Sequence, residues 1–140
     1  MSLAMTVSER EDFLSGVHVG IVSIPRKVKG PLAVPVWYDY EPGGQPWFIT
    51  SKSSIKGKLL NRADRISLCA QTEEPPYKYV SVEGPFTVSG SSHDELLHMA
   101  TRYLGGDQGR AYAQASVTDE TSIIVRIEPV TWYTVDYSKR

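Results

Sequence analysis

One cysteine, Cys69, stands in the whole chain, so no internal disulfide can form and stability must come from a packed core. Its setting, Ile66-Ser67-Leu68-Cys69-Ala70, reads as that of a buried small hydrophobe. No apolar run approaches the ~18 residues of a membrane-spanning helix, and the first residues lack the pattern of an export signal. The expectation is a soluble protein in a reducing cytoplasm. An excess of one charge is also missing, since 15 basic and 16 acidic residues leave a net charge of −1. Such a chain offers no global field to nucleic acid or to an anionic membrane, so any anion must be held by a local cluster. The three histidines, His18, His93 and His98, lack metal-ligand spacing, and no metal is expected. Neither a nucleophile elbow, a P-loop nor a dinucleotide fingerprint occurs. With no nucleophile–base pair in evidence, hydrolysis is set aside and no catalytic side chain is named.

The 140 residues suit one domain, 1–140, and 41% apolar with 22% charged residues is ordinary for a globular chain. Met1-Ser2-Leu3, followed by a second methionine at Met5, reads as an expression remnant or a disordered lead, and 1–5 is kept out of the fold argument. Thr6 with Glu9, or Ser8 with Glu11, has capping-box spacing for a short helix ending near Ser15-Gly16. Strands are expected over Val17–Ile24, Leu32–Tyr40, Gln45–Thr50, Arg65–Thr72, Lys78–Ser89 and Ser122–Tyr137, the last bent or interrupted near Pro129. In the longest, Val80, Val82, Phe86 and Val88 alternate with Tyr79, Ser81, Glu83 and Thr87. Helices are expected from Ser54 to about Arg62, from the Ser92–Glu95 capping box to Leu104, and from Arg110 to Ala115. Six strands without full crossovers fit a mainly β, antiparallel barrel with flanking helices.

Chemistry concentrates at one corner. Trp47-Phe48-Ile49-Thr50-Ser51-Lys52-Ser53-Ser54-Ile55-Lys56-Gly57-Lys58 runs off a strand directly into a helix N-terminus. There, unpaired amides and the helix dipole favour an anion. Hydroxyls at Ser53 and Ser54 and the cation of Lys56 complete a phosphate cradle. The same pattern also suits a solvated cationic face, with Lys52, Lys56, Lys58, Arg62 and Arg65 turned to water.

Three stretches in this order, Phe48-Ile49-Thr50-x-x-x-Ser54-x-Lys56, then Asn61-Arg62-x-x-Arg65-Ile66-Ser67-Leu68, then Tyr79-Val80-x-Val82-Glu83-Gly84, resemble the pyridoxamine 5′-phosphate oxidase-like superfamily. The likeness covers nearly the whole chain, from about Thr6 to the last strand. It implies a six-stranded split β-barrel that works as a homodimer and binds FMN or the deazaflavin F420. By this resemblance Ser54 and Lys56 would grip the cofactor phosphate, with Ser51, Lys52 and Lys58 around them and Thr50 beside the ribityl chain. Val34, Pro35 and Val36 would lie along the ring. Tyr77 and Tyr79 stand where the F420-binding branch has aromatics, with packing at a subunit interface as the alternative. The long anionic tail of F420 could meet Arg26, Lys27 and Lys29, which equally suit a solvated hairpin.

Two departures narrow the implication. The C-terminus, Trp132-Tyr133-Thr134-Val135-Asp136-Tyr137-Ser138-Lys139-Arg140, lacks the Arg-x-His of true pyridoxine phosphate oxidases. Ser54 also stands where many relatives have Arg, which leaves Lys56 as the firmly placed cation. The implied activity is hydride transfer to or from a small organic substrate, with cofactor carriage or, more weakly, haem handling as alternatives. Exposed aromatic faces around Trp37, Tyr38, Tyr40, Trp132 and Tyr133 are expected to form the dimer contact.

Overall fold

The computed structural model describes residues 2–116 and 118–140. Helix α1, Val7–Ser15, opens on the Thr6–Glu9 capping box: Thr6 Oγ1 accepts the Glu9 amide at 3.1 Å and Glu9 accepts the Thr6 amide at 2.8 Å. Strands β1 (Val19–Ile24) and β2 (Leu32–Trp37) form a hairpin, followed by β3 (Trp47–Ser51), α2 (Ile55–Leu60) and β4 (Ile66–Gln71). Then come β5 (Lys78–Gly84), β6 (Phe86–Gly90), α3 (His93–Leu104), α4 (Gly106–Ala115), β7 (Ser122–Ile127) and β8 (Thr131–Asp136), with a short 3-10 turn over Tyr137–Lys139.

Eight strands replace the six expected. They form a five-stranded antiparallel sheet, ordered β2-β1-β4-β5-β8, and a three-stranded one, ordered β3-β7-β6. The expected long strand over Lys78–Ser89 breaks because Pro85 has no amide hydrogen to continue the ladder. β5 stays in the large sheet while β6 turns into the small one. Pro129 does the same between β7 and β8, and the two corners meet: Glu128 donates its amide to Pro85 O at 2.8 Å, and Val130 to Glu83 O at 3.0 Å. A Cβ on Gly84 would collide with the Glu128 carbonyl, so this crossing needs glycine. The expected inward face holds for Val80, Val82 and Phe86, which meet the core, and fails at Val88 on β6, which is exposed. Strand β2 likewise stops at Trp37, and Asp39 makes a lone bridge to Trp47 that ties the large sheet to the small one.

Register fixes the two faces of the large sheet. Val34, Val22, Leu68, Val82 and Trp132 lie side by side on the inner face, where Val22, Leu68 and Val82 have no exposure. Phe48, Val125 and Ile127 of the small sheet complete the core. Pro35, Ile21, Cys69, Ser81 and Tyr133 form the matching outer row. Cys69 is therefore half-buried on an outer face, not in the core as its apolar setting suggested. Residues after Met1 are not a loose remnant either. Met5 joins the core and donates its amide to Thr134 Oγ1 at 2.9 Å, while Leu3 O accepts the Asp136 amide at 2.8 Å.

Candidate functional site

The corner between β3 and α2 is built from short-range hydrogen bonds. Ser54 is the N-cap, in extended backbone conformation, and its Oγ accepts the Gly57 amide at 3.1 Å. The same hydroxyl donates to Ser51 O at 2.6 Å and lies 3.2 Å from Thr50 Oγ1. Ser51 and Ser53 hydroxyls sit 2.8 Å apart. A strand that ends in Thr-Ser-x-Ser-Ser therefore folds its hydroxyls into one knot. Gly57 lets the helix lie flat on that knot, because a Cβ there would be 2.5 Å from Lys52 Cα and nearer still to the Ser51 carbonyl.

A remote segment buttresses the corner. Thr121 O accepts the Lys52 amide at 2.8 Å, and Thr121 Oγ1 accepts the Ser51 hydroxyl at 3.2 Å. Thr121 is pinned in turn by Asp119 Oδ1, which accepts its amide at 2.8 Å and its hydroxyl at 2.6 Å. Those two bonds hold the Asp119 carboxyl below the usual carboxylate range. Sequence reading misses Thr121 and Asp119, as they lie some 70 residues along the chain from Ser51. Gly57 is also missed, although a glycine inside a six-residue helix is itself a sign of close approach.

The expected residues divide into two groups. Thr50, Ser51, Lys52, Ser54, Lys56 and Lys58 are together at this corner. Lys52, Lys56 and Lys58 make no ion pair among the described residues. The amides of Ile55 and Lys56 have no hydrogen-bond partner among the described residues, whereas Gly57 and Lys58 use theirs on the Ser54 cap. Cations and free amides with no internal partner are what a phosphate needs. The Ser54 hydroxyl is instead already engaged as a cap.

The second group lies on the large sheet. On β2 the side chains alternate: Val34 and Val36 pack against the core, and Ala33 and Pro35 are exposed on the outer face. β2 is an edge strand, so its outer backbone edge is free. Tyr79 stands near the start of β5, with Tyr77 just before the strand, and lies five residues, or roughly 17 Å of strand, from its Gly84 end. The ring of Tyr79 lies 5.9 Å from that of Tyr133, and burial together with a hydrogen bond to Tyr133 raises its hydroxyl above the ordinary range. α2 leads away from β3 towards the opposite end of the sheet, where Leu59 and Arg65 face the β1–β2 hairpin. A single chain therefore does not gather the tyrosines and the cradle into one pocket.

A different polar cluster went unread in the sequence. Asp39, 7% exposed, faces Arg102 Nη1 at 3.1 Å and His98 Nε2 at 2.6 Å, and accepts the Tyr40 amide at 2.7 Å. Arg102 also donates to the carbonyls of Tyr38, Ser15 and Gly16 at 3.1, 3.1 and 2.8 Å. The imidazole of His98 stacks on Trp47. Docking of α3 and α4 here covers Trp37 with Tyr103 and Tyr112, and Tyr38 and Tyr40 are buried at 0% and 2% exposure. Tyr38 and Tyr40 are thus core residues rather than contact aromatics; of that group Tyr133, 65% exposed, is the one fully presented to solvent.

No family model and no curated protein matches the chain. Solved structures do. A conserved hypothetical protein from Mycobacterium tuberculosis superposes with a TM-score of 0.77 at 21% identity, covering 98% of this chain and 88% of that one. An F420 reductase gives 0.70 at 15% identity over 88% and 94% of the two chains. An FAD and heme binding protein from Mycobacterium smegmatis gives 0.70 at 17% identity over 96% and 73%. The chain has the split β-barrel fold. In this split barrel the five- and three-stranded sheets share one core, as the resemblance to the pyridoxamine 5′-phosphate oxidase-like proteins implies. The β3–α2 corner lies at the end of the small sheet.

Proposed function

We propose that the protein binds a flavin-type cofactor, FMN or F420, as a homodimer and uses it to move a hydride to or from a small organic substrate. The observation that carries this reading is the β3–α2 corner: Lys52, Lys56 and Lys58 make no direct ion pair among the described residues, beside amides without internal acceptors. The solved F420 reductase shares the fold, which supports the choice of ligand class. Lys56, in the first turn, and the Ile55 and Lys56 amides would hold the phosphate. Ser54 would act by fixing the helix end. The bound ring supplies the hydride chemistry, while the chain orients it and keeps water away.

Two copies explain the separation of the expected residues. The cradle and the Tyr77–Tyr79 pair lie apart in one chain, and the outer face of the large sheet presents Pro35, Ile21 and Tyr133 with no side chain over them among the described residues. A twofold contact through this face would bring one copy's tyrosines towards the other's cradle. Such an obligate interface would bury roughly 2,000 Å² or more.

The test is spectral titration of pure protein with FMN and with F420, each against riboflavin, which lacks the phosphate. Binding of the phosphorylated forms at least tenfold more tightly than riboflavin is expected. Equal affinities would sink the cradle. Light scattering should give a dimer of the 15.6 kDa chain; a clean monomer at micromolar concentration would remove the shared site. A broad panel of acceptors, quinones and enones among them, then separates turnover from carriage: tight binding without faster cofactor reoxidation marks a carrier.

A further inference from the structure

A second cavity, of about 580 Å³, opens between the β1–β2 hairpin and the far end of α2. The cofactor reading touches only its hairpin cations, Arg26, Lys27 and Lys29, as a place for the tail of F420, and gives its apolar walls no role. Its volume falls within the ~300–1,000 Å³ of small-ligand sites. Pro25, Val28, Leu59 and Ala63 form apolar walls. Val28, at the hairpin tip, is 95% exposed, a costly place for a valine with nothing against it. The hairpin is held closed by Arg26, whose Nε donates to Gly30 O at 2.8 Å.

The rim is as distinctive as the walls. Arg26, Lys27, Lys29, Arg62 and Arg65 line it, with Asp64 the only acid among the lining residues. Arg65 faces Glu83 at 3.5 Å, but Arg26, Lys27, Lys29 and Arg62 make no ion pair among the described residues. A chain of net charge −1 has thus placed five of its 15 basic residues around one apolar pocket. Like charges held this close repel one another, and an anion relieves them. Apolar walls, for their part, gain only from an apolar body.

We propose that this cavity binds a small amphiphilic anion, an apolar chain carrying one carboxylate. Its head would meet Lys29 and Arg62 at the rim and its chain would cover Val28, Leu59 and Ala63. A hydrophilic polyanion would satisfy the rim and leave the walls wet. The site is distinct from the phosphate cradle, which uses the other end of α2.

Decanoate is the probe, titrated calorimetrically into the full-length protein at low salt. Acetate supplies the charge without the chain, and decanol the chain without the charge. Decanoate should bind at least tenfold more tightly than either. The double reversal Lys29→Glu with Arg62→Glu should weaken decanoate at least tenfold while leaving FMN affinity and thermal stability unchanged. Val28→Ser should weaken decanoate severalfold and not acetate. Amide shifts in an NMR titration should centre on Val28, Leu59 and Ala63. Binding indifferent to the charge reversal overturns the proposal, as do shifts centred on Ile21 and Tyr133 or acetate binding as well as decanoate. Displacement of decanoate by equimolar F420 would give the cavity to the cofactor and overturn it as well.

Discussion

Two polar clusters sit at opposite ends of β3, and they differ in how fully their groups are matched. At the Trp47 end, the Asp39 carboxylate meets Arg102, His98 and the Tyr40 amide, and Arg102 fills its remaining donors with three carbonyls. At the Ser51 end the hydroxyls are knotted together, yet three lysines and two amides look outward without partners. A cluster whose buried carboxylate and guanidinium are matched has little left to offer a ligand, even with the His98 imidazole at its exposed edge; its groups hold elements together. An unsaturated one costs the fold little and keeps its donors free. The first is therefore read as a staple for α3 and the second as a site.

The largest effect should come from breaking the staple. Arg102→Met leaves a buried Asp39 charge without its main counter-ion and takes a donor from each of three carbonyls. Removing one partner of a buried pair typically costs about 3–5 kcal/mol. Urea unfolding should show a loss of that size, and Asp39→Asn in the same chain should recover part of it. A loss under about 1 kcal/mol would mean that the cluster is a solvated surface pair and that the contrast between the two ends is false.

Lys56→Ala tests the other end with the opposite signature. A charge-assisted bond to phosphate is worth about 1.5–3 kcal/mol, so FMN or F420 affinity should fall roughly ten- to a hundredfold. Riboflavin affinity and unfolding midpoint should stay as they were. If phosphate and riboflavin forms lose affinity together, the lysine acts on the ring or the fold, and the cradle is misplaced.

Ser54→Ala sharpens the contrast further, because the hydroxyl belongs to both categories. It caps Gly57 and donates to Ser51, so its loss should cost about 1 kcal/mol of stability and weaken phosphate binding only through the loosened helix end. Thr50→Val, which removes a neighbour of that hydroxyl, should do less. An affinity loss as large as that of Lys56→Ala, without change in stability, would show that Ser54 contacts the phosphate directly.

The sequence shows local signals well and distant ones badly. The capping boxes at Thr6 and Ser92 appear where their spacing puts them, since each is closed within four residues. The β3–α2 corner is legible for the same reason. The long strand over Lys78–Ser89 is misread because alternation of side chains persists through Pro85 while the hydrogen-bonded partner changes from β8 to β7. The exposed aromatics are misread too: Tyr38 and Tyr40 are covered by α3 and α1, and nothing near them in sequence announces it. His98 looked isolated because Asp39 lies 59 residues away. Composition cannot show that the cations of the hairpin and those after α2 meet around one cavity.

The smallest effect belongs to an ion pair that is neither buried nor aimed at a ligand. Glu9 caps α1 through the Thr6 amide and receives Lys139 Nζ at 2.7 Å, tying the C-terminal turn to the first helix. Those bonds, the lysine first, pull its carboxyl from 4.5 down to about 2. Because the folded-state value is the lower one, the contribution to stability is present above the unfolded value and fades as pH falls from about 4.5 towards 2. The pair is open to water, so salt should screen it and its share of total stability should be slight. Carbon-detected NMR titration of the Glu9 carboxyl should place its midpoint well below that of free glutamate, and Lys139→Ala should move it most of the way back. A midpoint unchanged by Lys139→Ala would leave the Thr6 amide as the sole cause. The 3-10 turn would then be docked by its Asp136 cap and the Tyr137 amide alone, and the two helical ends of the chain would be independent.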